Sequence, residues 1–358
     1  MKYHQLVLTI PLLFASPSIG ALENEAQSAI DTIQKFYNST SGLWQGVSGQ
    51  LWWESANILT AIAKFGLHDP EYKPTAVAII DITYQKSRTA PKEVGGYIDW
   101  KNKFTDDMGW WALAWIASFD LTGDKKYLDS AKDLYQDMQI NTATQCGGLI
   151  KWNKDKKAIT AISNELFLSI AAHLANRIPG DGGKPYRERA ERQWQDFKKA
   201  GGFINGRKLV NDAIHAEDCT NNGDTTWTYN QGVILGGLAE LTKATGNGEY
   251  GKRAIEIADS AMKNLATNGI LTEQVPSLDQ QGAQFKGAFV RGLAALNAQV
   301  PEARFATFLK NNAESAWTRG KQGELIGGQW QGGGGFIGTT SQASGVDVLV
   351  AAAQANPT

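Results

Sequence analysis

Two adjacent acids, Asp106 and Asp107, stand in the segment FTDDMGWWALAW, with Trp100 and Phe104 before them and Trp110 and Trp111 after. Neighbouring carboxyl groups can hold protons with unequal affinity, because burial on apolar walls raises one pKa and the second charge drives the two apart. Consecutive side chains can place their carboxyls roughly 5–6 Å apart, close to the ~5–5.5 Å at which one carboxylate attacks an anomeric carbon while its neighbour protonates the leaving oxygen. Inversion through a bound water needs a wider gap. Spacing alone also permits a plainer reading, in which Thr105 caps a helix and the two acids favour the positive end of its macrodipole. It excludes an Asp-Asp-x-x-Asp magnesium cradle, since Trp110 stands four residues after Asp106.

Other reactive side chains are few. Cys146 and Cys219 are the only cysteines; in an oxidising compartment they are expected to pair. A metal site is the competing reading, but four histidines without a Cys-x-x-Cys or His-Glu-x-x-His spacing give it no ligand set, so neither metal nor cofactor is expected. Twelve tryptophans are many for a helical chain. Indole faces pack on the C–H faces of sugar rings, which makes Trp44, Trp53, Trp100, Trp110, Trp152, Trp227, Tyr229 and Trp330 candidates for lining a groove, with core packing as the alternative for each. Asn230 and Gln231 can bond hydroxyls or cap a helix, and Asn164, Glu165, Asp218 and Asp224 carry the same ambiguity. Lys286 and Arg291 read best as partners of buried acids, and His68 and His173 as structural. The glycine run 332–335 lacks the Lys-Ser/Thr of a phosphate loop and reads as a flexible rim segment.

The elements that must position these groups repeat. A short turn recurs as DPEYKPTA at 69, DKKYLDSA at 124, GKPYRERA at 183, NGEYGKRA at 247 and, worn, VPEARFAT at 300. A mostly apolar helical run precedes each copy and an amphipathic one follows. Runs such as SNELFLSIAAHLANRI and YNQGVILGGLAELTKA are apolar on most sides, as inner helices are, whereas KPYRERAERQWQDFKKA has the charged face of an outer one. With ENEAQSAIDTIQKFY as the first outer helix, six outer and six inner helices close into an all-α (α/α)6 barrel of six helical hairpins, one domain over 21–358. Turns from inner to outer helices are short. The return connections are long, rich in Gly and aromatics, and all fall on one rim, where a groove is expected.

With 35 basic against 36 acidic residues the formal charge is −1, so no positive field exists to hold nucleic acid. The N-terminus carries Lys2, an apolar run from Leu6 to Phe14 broken by Pro11, and small residues around position 20, the pattern of a secretory signal over 1–20. No later run is long and apolar enough to span a bilayer, and the polar ANPT end has no hydrophobic lipid-anchor tail. A secreted, monomeric, soluble chain is therefore expected, extracellular or in a cell wall. Asn38-Ser39-Thr40 is an N-glycosylation sequon.

The segments FTDDMGWWALAW, GGLIKW, ISNELFLSIAAHLA, TYNQGVILGGLAEL and FKGAFVRGLAAL, spread over the whole mature chain, resemble glycoside hydrolase family 76, the endo-α-1,6-mannanases and related fungal wall proteins. The resemblance implies an (α/α)6 barrel acting on α-1,6-mannan without a cofactor. It also implies a double displacement with Asp106 as nucleophile and Asp107 as acid/base, an order that spacing does not supply. A cell-wall mannosyl transglycosidase and a non-catalytic mannan-binding barrel are the alternatives.

Overall fold

The computed structural model describes residues 19–89, 91 and 97–355. The expected leader, 1–20, lies outside the described residues except for its last two, which already belong to the first helix. Among the described residues there are twelve α-helices: α1 (Ile19–Gln34), α2 (Trp53–His68), α3 (Lys73–Lys86), α4 (Thr105–Thr122), α5 (Lys125–Ile140), α6 (Ala161–Arg177), α7 (Lys184–Lys199), α8 (Thr228–Thr245), α9 (Gly248–Asn264), α10 (Phe285–Gln299), α11 (Ala303–Thr318) and α12 (Thr339–Ala355). The even-numbered helices pack each on the next, and α12 returns to α2, closing the inner ring of an (α/α)6 barrel. Odd-numbered helices lie outside it, α1 against α12. No helix among the described residues is long and apolar enough to cross a membrane.

The recurring turn works through two adjacent residues. Gly123 and Gly246 end α4 and α8 with φ of 72° and 69°, a left-handed conformation that costs glycine little. The next residue, Asp124 or Asn247, caps the following outer helix by accepting a bond from Lys126 N or Glu249 N, each at 3.0 Å. At the inner ring's tightest crossing a Cβ on Gly232 would lie 2.2 Å from Phe289 Cα, so only glycine lets α8 and α10 meet there.

The six long connections gather on the rim at the N-terminal ends of the inner helices and carry short antiparallel pairings. Ile159–Thr160 pairs with Ala213–Ile214, joining the connections before α6 and α8. Amides on the first turns of inner helices hold the loops down. Asn164 on α6 accepts from Ile150 N and donates to Ile150 O, and Gln231 on α8 does the same to Val210. Gln342 on α12 accepts from Ile326 N at 2.7 Å. These contacts satisfy buried backbone groups that no regular ladder reaches.

Candidate active site

Helix α4 starts where two connections cross. Thr105 N donates to Trp152 O at 2.8 Å, and Phe104 bridges to Asn153. Thr105 is not the cap that its sequence position suggested; its hydroxyl accepts from Asn141 Nδ2 at 2.6 Å instead, which ties α4 to the end of α5. Asp106 and Asp107 then open the helix at the barrel mouth. Trp152 Nε1 donates to Asp106 Oδ2 at 3.1 Å, and Asp106 Oδ1 has no partner among the described residues. Asn102 Nδ2 donates to Asp107 Oδ2 at 2.6 Å while its own Oδ1 accepts from Phe104 N, so one amide fixes both the turn and the second acid.

A cavity of about 580 Å³ lies over this helix end. Asp106 forms part of its lining, with an aromatic wall in which Trp110 stacks on Trp53 at 6.0 Å, Trp53 meets Phe285, and Phe285 stacks on Tyr229 at 4.2 Å and meets Trp227 edge-on. Trp152 lines the side nearest Asp106. Asp212 faces the cavity from the connection before α8 and accepts from Tyr229 Oη at 3.2 Å and Asn230 Nδ2 at 3.5 Å.

The two aspartates differ in proton affinity. Burial pushes the Asp106 carboxyl up to about 6; the Trp152 indole and backbone N–H groups oppose the rise, and the charge of Asp212 adds to it. Burial, then the charge of Asp106, lifts Asp107 well above the usual carboxylate range against the pull of Asn102, with Glu54 adding to the rise. The first proton therefore leaves the pair more readily than the second. Two further buried acids surround them. Glu54 is raised to about 7 by burial, and Glu165, fully buried with neither oxygen partnered, is raised by burial and then by Asp212.

The expected groove residues divide into two groups. Trp53, Trp110, Trp152, Trp227 and Tyr229 line the cavity, and Asn230 lies behind it, fully buried, reaching Asp212. Trp100, Asn164 and Trp330 do not. Trp100 is sealed among Tyr84, Trp111 and Trp115, its Nε1 donating to Ser87 Oγ at 2.9 Å. Asn164 is consumed by the Ile150 backbone and Gln193, and Trp330 is buried beneath the Lys286 ammonium. Trp44, also weighed as a groove residue, is buried against Tyr37. Asp218 and Asp224 bond within their own exposed loop. Lys286 donates to Gly328 O near Glu273, and Arg291 pairs with buried Asp347, both the structural alternative.

Asp212, Glu54 and Phe285 were not singled out from the sequence. Asp212 shares its loop with Asp218 and Asp224, and only the pairing of Thr160 with Ala213 distinguishes it. Cys146 and Cys219 form a disulfide, Cα atoms 5.6 Å apart, between the connection that carries Trp152 and the one that carries Asp212. Asn38 is half-buried and accepts from Thr40 N at 2.9 Å. Among the described residues no cluster of three or more His, Cys, Asp or Glu is arranged to hold a metal.

The model of Glycosyl hydrolase family 76 matches residues 21–357. The chain belongs to this family. It is 28% identical over 270 residues to the mannan endo-1,6-alpha-mannosidase DCW1 of Saccharomyces cerevisiae, an alignment covering 68% of this chain and 59% of the yeast protein. Identity is 24% to DFG5 of Candida albicans, a protein of the same description, over 98% of this chain and 86% of the relative. In fold the family 76 chain is similar to an inactive variant of an alpha-1,6-mannanase of Salegentibacter in complex with alpha-1,6-mannotriose: TM-score 0.80, 24% identity, 94% of this chain and all of that one. Dfg5 of Chaetomium thermophilum in complex with glucosamine is similar at TM-score 0.80 and 17% identity, over 96% of this chain and 92% of that one.

Proposed function

We propose that this protein is a retaining endo-α-1,6-mannanase in which Asp106 is the nucleophile and Asp107 the acid/base. The observation that supports this is a pair of adjacent carboxyls with unequal proton affinity, Asp106 half-buried on the lining of an aromatic-walled cavity and Asp107 buried beside it. Asp106, the lower of the two, is ionised near neutrality and lines the cavity. Its carboxylate attacks the anomeric carbon as the bond to the departing 6-oxygen breaks, and Asp107 delivers its proton to that oxygen. The covalent mannosyl-enzyme is then opened by water, which gives a proton to the Asp107 carboxylate and restores both groups. Trp53, Trp110, Trp227 and Tyr229 supply flat apolar faces for successive sugar rings, and Asp212, held by Tyr229 and Asn230, accepts from a sugar hydroxyl. Action outside the cell, as a monomer that carries a glycan on Asn38 and has lost a leader over 1–20, belongs to the same proposal.

A transglycosidase is the second reading. Asp106, Asp212 and Asp279 line the cavity without a Lys or Arg among its lining residues, a field that favours a cationic acceptor such as an amino sugar. The fungal neighbour holding glucosamine fits this reading. Incubation with linear α-1,6-mannan, followed by product sizing and by NMR of the first anomer released, separates the outcomes. Shorter α-anomeric products from wild type and none from Asp106→Asn support the hydrolase. Longer products made with an amino-sugar acceptor support transfer. Binding without change in either protein would leave a mannan-binding barrel.

A further inference from the structure

A second chamber, of about 130 Å³, opens at the other end of the barrel, toward the C-terminal ends of the inner helices. Trp110 lines both chambers and separates them. Its lining includes the apolar side chains of Trp110, Leu113, Ile116 and Val233. It also includes charged groups, most of them already engaged. Arg177 binds Asp120 at 2.6 Å and Glu240 at 3.2 Å, and Arg291 is held by Asp347 and Asn57.

Lys64 is the exception. It lines the chamber half-buried, and no carboxylate of the described residues comes within the 4.0 Å of an ion pair; burial and then Arg291 lower its proton affinity, while Asp120 and Glu240, farther off, raise it. An ammonium whose carboxylate neighbours stay beyond ion-pair distance keeps N–H donors open to a closer anion. The backbone also keeps the space open. Gly236 stands in the middle of α8, where glycine weakens a helix relative to alanine. Unlike Gly232, it is not required by packing: a Cβ there would meet only Gly292 Cα, at an ordinary 3.8 Å. Its missing side chain faces the chamber.

We infer that the lower chamber is a binding site for a small monocarboxylate with a short aliphatic body. The carboxylate accepts from Lys64 Nζ, with Arg291 adding positive potential, and the aliphatic part lies on Trp110 and Val233. The volume corresponds to about four waters, enough for an acid of roughly six heavy atoms and too little for a disaccharide. This site shares only Trp110 with the lining of the mannan cavity and does not rest on the reaction proposed there.

The test is ligand-observed NMR and calorimetry on the full chain with butyrate, using 1-butanol as the neutral isostere and sodium chloride as the ionic control. Butyrate is expected to bind in the millimolar range, with butanol about tenfold weaker or undetected. Lys64→Met keeps the length of the side chain without its charge and should lower butyrate affinity about tenfold. Gly236→Ala, which narrows the chamber while favouring the helix, should raise Tm and still weaken butyrate several-fold. It also carries the test alone if Lys64→Met fails to fold. Equal binding of butanol, competition by chloride alone, unchanged affinity in Gly236→Ala, or no butyrate binding would each overturn the inference. Mannan turnover is not the readout, so loss of either proposal leaves the other standing.

Discussion

Trp152 Nε1 donates to Asp106 Oδ2 at 3.1 Å, so the indole that lines the cavity also sets the charge of the acid beside it. A donor to a carboxylate stabilises the ionised form and opposes the rise that burial imposes. One side chain thus serves both sugar packing and proton affinity, and the two roles separate under substitution.

Trp152→Phe keeps a ring and removes the donor. The Asp106 pKa should then climb from about 6 by roughly one unit, the worth of a hydrogen bond to a charged group. Activity requires Asp106 ionised, so the acidic limb of kcat/KM should move to higher pH while the alkaline limb, set by Asp107, moves little. A lowered rate with an unmoved limb would mean that the indole acts only as a platform.

Asp212→Asn should move the same limb the other way. The Asp212 charge raises Asp106, and removing it lets Asp106 ionise at lower pH. If Asp212 also accepts from a sugar hydroxyl, KM should rise about tenfold at the pH optimum, the cost of one such bond. A pH-rate profile of the variant checks both effects, and a shift without a KM change would confine Asp212 to an electrostatic role.

Substituting the acids should trade activity for stability. A carboxyl whose folded pKa lies above its unfolded value stabilises the native state fully below the unfolded pKa, and that contribution is lost as pH rises through the folded pKa. Asp106→Asn escapes this loss. It should be inactive and, at pH 7, more stable than wild type by up to roughly 3 kcal/mol, the equivalent of about two pKa units. The gain should vanish near pH 4. Thermal melts across that range decide the matter; an equal Tm at pH 7 would contradict the raised pKa.

The barrel was legible because its signals are local and repeated: the Gly-Asp and Gly-Asn turns, apolar inner runs and charged outer faces each need only a few neighbouring residues. The aspartate pair was legible for the same reason. Asp212 was not, since its position depends on Thr160 pairing with Ala213 across 53 residues of chain. Nor does composition distinguish Trp100 from Trp110. Asp99 and Trp100 adopt left-handed φ near 58° and 59°, and the chain buries the Trp100 indole against Trp115 rather than in the cavity. Asn164 shows a similar limit, because an amide on the first turn of an inner helix suits a sugar hydroxyl as well as it suits the Ile150 backbone.

The difference between the tryptophans is measurable. Trp227→Ala removes a cavity wall and should raise KM for mannan about tenfold with little change in Tm. Trp100→Ala removes a core ring and should cost roughly 3–5 kcal/mol of stability, with KM unchanged at temperatures where the variant stays folded. Reversed outcomes would return Trp100 to the groove.

The disulfide offers a further separation of binding from folding. Cys146 and Cys219 are 73 residues apart in the chain, so their bond restricts the unfolded state by roughly 4 kcal/mol in the chain-entropy account. In the native state it joins the loop of Trp152 to the loop of Asp212, which otherwise meet through the short pairing of Ile159–Thr160 with Ala213–Ile214. The inner and outer helices do not depend on this bond for contact. Cys146→Ser with Cys219→Ser should therefore keep its helical circular dichroism at 25 °C, melt at lower temperature, and bind mannan several-fold more weakly because the two cavity walls are no longer fixed to each other. A fall in Tm with unchanged KM would show that the strand pair alone sets the groove and that the bridge serves the scaffold.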